Sequence, residues 1–228
     1  PDLLPEVSRL VETYGLERWQ EVSGRVDFAA SLFYLQMIER AFTEAAVRLP
    51  EGLSALDAGC GDWFYVQALY GLLRRFRGER QVCLTGVEVD AYRPYAGLRS
   101  RIDWAHAYMD GLKDMRYLPV DIRQFTEPVD VAFQLFPFLF GDDLRRWGLP
   151  RRYLTPDALL RHVAGLVKPG GVLVTANLGE AERDAQHRLL QAAGLNPVWW
   201  GRHESPLFTY RQPRFVTVVR KACEPGEE

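Results

Sequence analysis

Short apolar runs of strand length alternate with helix-length segments along most of this chain, and this alternation constrains the fold more than any other feature. The runs cover residues 53–59, 81–88, 116–121, 129–136, 171–177, 197–203 and 214–221. Strands that alternate with helices form parallel, doubly wound sheets. The last two runs have no helix-length segment between them, so we expect them to pair as a hairpin. The sequence therefore predicts an α/β fold built on a seven-stranded, mostly parallel sheet.

Two amphipathic helices are predicted before the first strand, at residues 1–22 and 27–48, because apolar residues recur there at helical spacing. The length of 228 residues favours one α/β domain with a short addition over two full domains. We therefore divide the chain into an N-terminal helical cap (1–48), an α/β domain (49–222) and a polar tail (223–228). The two helices either cap the active site, cover an exposed sheet face or form a dimer interface.

Composition excludes several classes of protein. The formal net charge of −2 offers no basic footprint for nucleic acid. The cysteines Cys60, Cys83 and Cys223 have neither zinc-site nor disulfide spacing, and Cys60 and Cys83 lie in apolar runs that predict buried free thiols. No apolar run is long enough to span a membrane, and the chain begins without a signal-like segment. We expect a cytoplasmic protein with no metal site and no nucleic-acid or membrane partner.

The first strand runs into a glycine turn that is a candidate ligand site, because ligands of doubly wound sheets lie beyond the carboxyl ends of the strands. Gly59 and Gly61 allow a tight turn and a close approach of the backbone to a ligand. The dinucleotide fingerprint fails, since its third glycine would fall on Phe64. Asp57 and Asp62 also disfavour a diphosphate, so the bound group is expected to be neutral or cationic, with Asp57 orienting loop amides or a cation. The alternative is a tight turn that binds nothing.

Acidic residues end the second and third predicted strands. Glu88 has the position that suits a ribose diol, because a carboxylate accepts two hydroxyl hydrogen bonds. Asp90 is interpreted as the cap of a helix over about 93–111. Asp121 is placed to accept a hydrogen bond from an exocyclic amine, and Ile122 to pack on a flat base.

Together these segments resemble the class I S-adenosylmethionine-dependent methyltransferases. The resemblance covers roughly residues 53–220 and rests on the turn Leu56–Gly61, on Glu88, on the Asp121-Ile122 pair, on the strand VDVAFQLF and on Lys168-Pro169-Gly170-Gly171 before GVLVTAN. It implies a Rossmann-like methyltransferase fold with seven strands, of which the last is antiparallel. It also implies S-adenosylmethionine as the cofactor.

The resemblance assigns parts of the cofactor to residues of this chain. The methionine moiety is expected at Gly59 and Gly61, the ribose on Glu88, and the adenine beside Asp121 and Ile122. We add three residues to the cofactor site, namely Asp57, Cys60 and Gln134. The sequence departs from the family pattern at one position.

That position is Trp63, where the family often has a third glycine. We predict that Trp63 begins a helix with a negative φ, where no glycine is needed. Its ring is expected either to pack under the N-terminal helices or to wall the cofactor pocket.

The acceptor pocket is predicted from aromatic residues after the fourth strand. Phe136, Phe138 and Tyr153 could line a pocket for a flat or apolar small molecule, or form a hydrophobic cluster beneath a loop. Tyr34 on the second N-terminal helix and Asn177 at the end of the fifth strand are further candidates. The sequence has neither the Asn/Asp-Pro-Pro-aromatic motif of base and glutamine methylation nor a cysteine-centred motif.

His203, beside Glu204, is the histidine best placed to act as a general base. The leading hypothesis is methyl transfer to an oxygen, nitrogen or carbon atom of a small molecule. The alternatives are a non-catalytic protein that binds the cofactor or a nucleoside, and an RNA or protein methyltransferase. The acceptor atom, the need for a base and the presence of a homodimer are left open by the sequence.

Overall fold

The computed structural model describes residues 3–94 and 97–223, so residues 224–228 of the predicted polar tail lie outside the described residues. Within these ranges, the strands are β1 (Gly52–Ala58), β2 (Gln81–Val87), β3 (Met115–Leu118), β4 (Val129–Leu135), β5 (Val167–Leu178), β6 (Pro197–His203) and β7 (Arg214–Arg220). The helices are α1 (Leu4–Tyr14), α2 (Glu17–Val22), α3 (Arg25–Glu44), α4 (Val66–Arg75), α5 (Arg101–Tyr108), α6 (Gly141–Arg146), α7 (Pro156–Leu166) and α8 (Gly179–Ala192). Short 3₁₀ turns cover Ile122–Gln124 and Arg151–Tyr153.

The seven strands form one sheet in the order β3-β2-β1-β4-β5-β7-β6. All neighbouring pairs from β3 to β5 are parallel, while β7 is antiparallel to both β5 and β6. The predicted α/β class, the number of strands and the terminal hairpin are therefore confirmed. The strand order reverses between β1 and β4, and a ligand crevice is expected beyond the carboxyl ends of these strands.

Each face of the sheet carries its own hydrophobic core. On one face, side chains of β1, β4, β5 and β7 pack with helices α1 to α5 in a single large cluster. On the other face, alternate residues of β1, β4 and β5 pack with α7 and α8. The strands are apolar along most of their length because helices cover both faces of the sheet.

The N-terminal segment forms three helices rather than the predicted two. Gly15 ends α1 in the left-handed conformation with φ 68°, so the predicted helix over 1–22 is split into α1 and α2. Helix α3 packs against α4, β6 and β7, and α1 packs against α4. Helix α3 therefore covers part of a sheet face, which was one of the three alternatives for this segment, while α1 lies on the outside of α4.

The segment after β2 contains less helix than predicted. Helix α5 begins at Arg101 instead of about residue 93, and its capping residue is Ser100 rather than Asp90. Ser100 and Asp103 cap the helix reciprocally, with the Asp103 carboxylate accepting from the Ser100 amide at 2.7 Å. Gly97, which has φ 88°, lies in the extra irregular segment. As a result, Arg101 lies at the start of α5 near Glu88.

The cysteine prediction is half right. Cys60 is buried as expected, whereas Cys83 is exposed. The first half of β2 alternates between exposed and buried residues, because only its second half is covered on both faces.

Candidate active site

The turn after β1 carries three residues in the left-handed region. Gly59 has φ 83° and Gly61 has φ 63°, values that favour glycine. A side chain built at either glycine would meet nothing within 4 Å, because both face open space. Trp63 has φ 59°, so the prediction of a negative φ at this position is wrong. Helix α4 begins only at Val66.

Trp63 is held in this conformation by contacts with the strands below it. Its indole Nε1 donates to Asp57 Oδ2 at 2.8 Å, and the Tyr65 hydroxyl donates to the same oxygen at 2.7 Å. The ring lies directly against Gly86 of β2, where a side-chain carbon would stand 2.7 Å from it. Trp63 is fully buried and does not line the cavity. Its ring is therefore not part of the wall of the cofactor pocket, and its contacts are not limited to the N-terminal helices.

Asp57 is a support beneath the turn. Its carboxylate is completely buried, and burial raises its pKa to about 6 against the opposing hydrogen bonds from Tyr65 and Trp63. Oδ1 has no hydrogen-bond partner among the described residues. Since Asp57 does not line the cavity, it acts on the turn through Trp63 and Tyr65.

Glu88 at the end of β2 links the glycine turn to the next segment. Its Oε2 accepts from the Gly61 amide at 2.9 Å, and its Oε1 accepts from the Asp90 amide at 2.8 Å. The guanidinium of Arg101 lies 3.4 Å from Oε1. An ionised carboxylate offers about four lone-pair sites, so two strong bonds leave room for a ligand diol.

Asp121 begins the 3₁₀ turn after β3. Its carboxylate accepts from the Arg123 amide at 3.0 Å and forms an ion pair with the Arg123 guanidinium, which lowers the pKa of Asp121. Ile122 follows as the first residue of this turn. Both side chains are partly exposed at the carboxyl end of the sheet.

These strand ends surround one cavity of about 500 Å³. The structure brings most of the predicted site residues to its wall, namely Tyr34, Gly59, Cys60, Gly61, Glu88, Asp121, Ile122, Gln134, Phe136, Phe138 and Tyr153. Gln134 is nearly completely buried, and its Oε1 has no hydrogen-bond partner in the part of the chain that the structure describes. The cavity has a turn-side part next to β1, β2 and β3, and an opposite part next to the ends of β4 and β5, which we call the far end.

The N-terminal helices reach the cavity at one point. Among the described residues before β1, only Tyr34 of α3 lines it. The Tyr34 ring stacks on Tyr65 with centroids 4.6 Å apart and meets Phe136 edge-on at 5.8 Å. Tyr34 therefore connects the packing of α3 to the aromatic wall of the far end.

Three predicted residues do not reach the cavity, namely Asp57, which lies beneath the turn, Asn177 and His203. Asn177 of β5 is completely buried, and neither its Oδ1 nor its Nδ2 has a hydrogen-bond partner within residues 3–94 and 97–223. His203 lines a different pocket, between α3 and the segment after β6, and its ring packs edge-on against Phe33 at 4.6 Å. Burial lowers its pKa to about 4. The structure therefore gives no support to His203 as the base for chemistry in the cavity.

Several residues of the wall were not predicted from the sequence. The main ones are Phe64, Tyr65, Arg101, Asp143 and Glu182. Glu182 lies in the first turn of α8, directly after β5, so the strand-end rule would have found it if applied to the start of the helix instead of to Asn177. Arg101 could not be found in this way, because the predicted helix over 93–111 placed it in a helix interior.

Two absences concern the described residues, 3–94 and 97–223. They contain no group of three or more His, Cys, Asp or Glu residues that could hold a metal ion. None of their helices is long and apolar enough to cross a membrane.

Known proteins with this fold include several methyltransferases. No protein-family model matches the sequence, and no curated protein does. A Listeria monocytogenes protein assigned to the class I S-adenosylmethionine-dependent methyltransferases matches with a TM-score of 0.62 and 18% identity, over 87% of this chain and 61% of its own. This chain thus spans about three fifths of the length of that protein.

Two further matches cover most of both chains. The magnesium protoporphyrin IX methyltransferase of Synechocystis, solved with bound S-adenosylmethionine, has a TM-score of 0.55 and 15% identity over 97% of this chain and 98% of its own. The geranyl diphosphate C-methyltransferase of Streptomyces coelicolor has a TM-score of 0.54 and 11% identity over 82% of this chain and 79% of its own. The chain therefore has the class I methyltransferase fold, and its activity has to be argued from the site.

Proposed function

We propose that this protein transfers a methyl group from S-adenosylmethionine to a small-molecule acceptor. The observation that carries the proposal is the single cavity of about 500 Å³ that joins the glycine turn, Glu88 and Asp121 at the carboxyl ends of three adjacent strands. We call its turn-side part the cofactor end and its far end the acceptor end.

The residues at the cofactor end fit this cofactor. Gly59 and Gly61 present bare backbone to open space, a cradle that a side chain would fill. Gln134 has an unpartnered, buried Oε1 that can accept from an ammonium group. Glu88 retains lone pairs for a ribose diol, and Asp121 stands beside Ile122 for the adenine. No diphosphate is required, and the acids near the turn would repel one.

The protein's own contribution to the reaction is alignment and exclusion of water. When bound, the cofactor supplies an activated methyl group on a sulfonium that departs as a neutral thioether. Phe64, Tyr65 and Phe136 form an apolar wall beside the turn, where they keep water away from the reacting atoms. Holding an acceptor in line within such a wall supplies a large part of a methyl transfer rate.

Several properties support a small acceptor. The cavity volume is in the range of small-molecule sites, and aromatic side chains line its acceptor end. The net charge of −2 gives no source of phosphate neutralisation for an RNA substrate. We extend the proposal to the N-terminal segment, in which α3 shapes the acceptor end through Tyr34.

Calorimetric titration with S-adenosylmethionine and S-adenosylhomocysteine tests the proposal. We expect dissociation constants in the micromolar range, about −8 kcal/mol. Gly61→Val should abolish binding because its side chain enters the cradle. Gly194→Val is the matched control, since Gly194 has a similar φ of 71° and open space around it but lies outside the cavity.

Both variants place a branched residue at a positive φ, so this strain is common to them. A difference between their affinities for the nucleosides therefore reports the position of Gly61 in the cavity. Normal affinity in Gly61→Val, or equal losses in both folded variants, would contradict the assignment of the turn. Failure of the unmodified protein to bind either nucleoside would contradict the proposed function.

A further inference from the structure

Arg214, the first residue of β7, is a buried cation behind the wall of the acceptor end. It is only 8% exposed, and it does not line the cavity itself. It lies directly opposite Leu178 of β5, which does line the cavity. Opposite residues of an antiparallel pair project from the same face of the sheet, so the Arg214 side chain lies beside this part of the wall.

The guanidinium of Arg214 contacts two aromatic rings. It lies 3.9 Å from the centroid of the Tyr210 ring and 5.1 Å from that of the Phe136 ring. Its Nη1 donates to the Gln212 carbonyl at 2.9 Å, whereas Nε has no hydrogen-bond partner within the described ranges. A planar guanidinium stacks on aromatic faces, and an ammonium does not reproduce that contact. The packing between the two rings is therefore the main interaction of this side chain.

Phe136 is the cavity residue that most needs such a contact. It follows β4 with φ 56°, a left-handed conformation that is rare for a bulky residue. Its amide donates to the Ala176 carbonyl at 2.8 Å, which fixes the backbone but not the direction of the ring. The ring contacts Arg214 and also meets Tyr34 edge-on at 5.8 Å. A strained conformation of this kind persists only when its surroundings determine it.

Tyr210 connects the same guanidinium to helix α3. Its ring meets Tyr34 edge-on with centroids 6.4 Å apart, and it meets Phe33 in the same way at 4.8 Å. Arg214 packs directly on Tyr210, which in turn packs on Tyr34. Phe136 and Tyr34, two rings of the cavity wall from segments far apart in the chain, therefore share one buried support.

We propose that Arg214 is a positioning residue that holds Phe136 and Tyr34 in place and thereby sets the width of the acceptor end. This inference rests on the proposed function, which assigns that end of the cavity to the acceptor. The guanidinium fills the space between the Phe136 and Tyr210 rings. When it is removed, the Phe136 ring can move back into that space, because neighbours of a deleted side chain relax partly into the gap. The acceptor end then becomes wider, and its choice between narrow and wide ligands changes.

Two neutral probes of different width test the inference, phenethyl alcohol with a single ring and 2-(2-naphthyl)ethanol with a fused pair. Each is titrated into the protein saturated with S-adenosylhomocysteine. In Arg214→Ala we expect the ratio of the two dissociation constants to shift by at least about fivefold in favour of the naphthyl probe. The affinity for S-adenosylhomocysteine should stay within about twofold. Arg214→Lys keeps the stem and the charge but not the plane, so it should show a smaller shift in the same direction.

Arg183→Ala is the matched control, because the Arg183 guanidinium also lies over two rings, Phe215 at 4.7 Å and Trp200 at 5.5 Å, but outside the cavity wall. It should leave the ratio unchanged. If Arg214→Ala does not fold, Arg214→Lys carries the test. An unchanged ratio in the folded Arg214 variant, an equal shift in Arg183→Ala, equal losses of both probes and of S-adenosylhomocysteine, or no measurable binding of either probe to the unmodified protein overturns the inference.

The saturation step separates the two proposals. If S-adenosylhomocysteine binds but the ratio does not shift, only the inference about Arg214 fails. If S-adenosylhomocysteine does not bind, the proposed function fails, and the same titrations without it still test whether Arg214 sets the width of this end of the cavity.

Discussion

The two ends of the cavity differ in how their acids are held. At the cofactor end, Glu88 and Asp121 each accept hydrogen bonds from backbone amides and each pair with a guanidinium. At the acceptor end, Glu182 has a single amide donor and Asp143 has only an exposed guanidinium. The comparison indicates that the acids of the cofactor end are fixed by ion pairs and amides, whereas those of the acceptor end lie in the first turns of α6 and α8 and are held more loosely.

Trp63 provides the largest expected effect, because it fixes the cofactor end. Trp63→Ala removes a completely buried ring and the indole donor to Asp57, and should lower the free energy of unfolding by about 3–5 kcal/mol. Trp63→Phe should cost less, about 1–3 kcal/mol, through the lost hydrogen bond. Chemical denaturation measures both.

Trp200→Ala is the control for Trp63, since Trp200 is 49% exposed on the edge strand β6 and should change stability by less than about 1 kcal/mol. Comparable losses for the two tryptophans would show that Trp63 has no special role in holding the turn.

Asp57 gives the next largest effect, which depends on pH. Its pKa is raised to about 6 by burial, above the value near 3.9 expected in the unfolded chain. Asp57 therefore stabilises the fold fully below about pH 4, and this contribution is lost as the pH rises through 6. The total is on the order of 3 kcal/mol.

Asp57→Asn has no carboxyl group at this position and does not titrate in this pH range. Its stability relative to the unmodified protein should therefore improve as the pH is raised from about 4 to about 7, as measured by denaturation at each pH. A stability difference that stays constant over this range would show that Asp57 does not take up a proton in the folded state in this window.

Glu88 tests the role of the cofactor end in binding S-adenosylhomocysteine. Glu88→Ala should weaken S-adenosylhomocysteine binding by about 1–3 kcal/mol, because the ribose hydroxyls lose their acceptor in a closed site and the Gly61 amide loses its own. Glu127→Ala is the control, since Glu127 forms an exposed ion pair with Arg116. An unchanged titration curve for Glu88→Ala would place the ribose elsewhere.

The cofactor end was largely predictable from sequence, and the acceptor end was not. Glu88 and Asp121 directly follow apolar runs, so the rule for strand ends finds them in the chain alone. The conformation of Trp63 escaped prediction because its causes, Asp57 and Gly86, become visible only when β1 and β2 pair.

The acceptor end is assembled from segments far apart in the sequence. Tyr34, Asp143 and Glu182 come from α3, α6 and α8, and no local pattern relates them. His203 was misplaced for a related reason. It does end a strand, but β6 lies at the edge of the sheet, two positions beyond β5, and away from the point where the strand order reverses.

Tyr34 provides a smaller effect that separates the two ends. Tyr34→Leu should weaken binding of a small aromatic probe, phenethyl alcohol, by about tenfold, or ~1.4 kcal/mol, while S-adenosylhomocysteine affinity stays within about twofold. Tyr70→Leu is the control, because Tyr70 is also buried but lies outside the cavity. Truncation of α1 and α2 is a poorer test, since it would remove the core residues Leu10 and Trp19 and uncover the face of α4 on which α1 packs.

If Tyr34→Leu lowers both affinities equally, α3 supports the whole cavity rather than its acceptor end. If it changes neither, the N-terminal segment has no part in binding and only covers the sheet face.

The smallest effect is expected for the binding of nucleic acid. This binding also depends on the charges at the acceptor end of the cavity. An RNA acceptor would bring phosphates to an end of the cavity lined by the acids Asp143 and Glu182, on a chain whose net charge is −2. Binding of RNA depends on neutralising phosphates with Lys and Arg and weakens steeply with salt when such contacts exist. We therefore expect only weak binding of a structured RNA at low salt, with none detectable at physiological salt, in filter-binding or fluorescence anisotropy assays. Tight binding that persists at physiological salt would contradict the small-molecule acceptor.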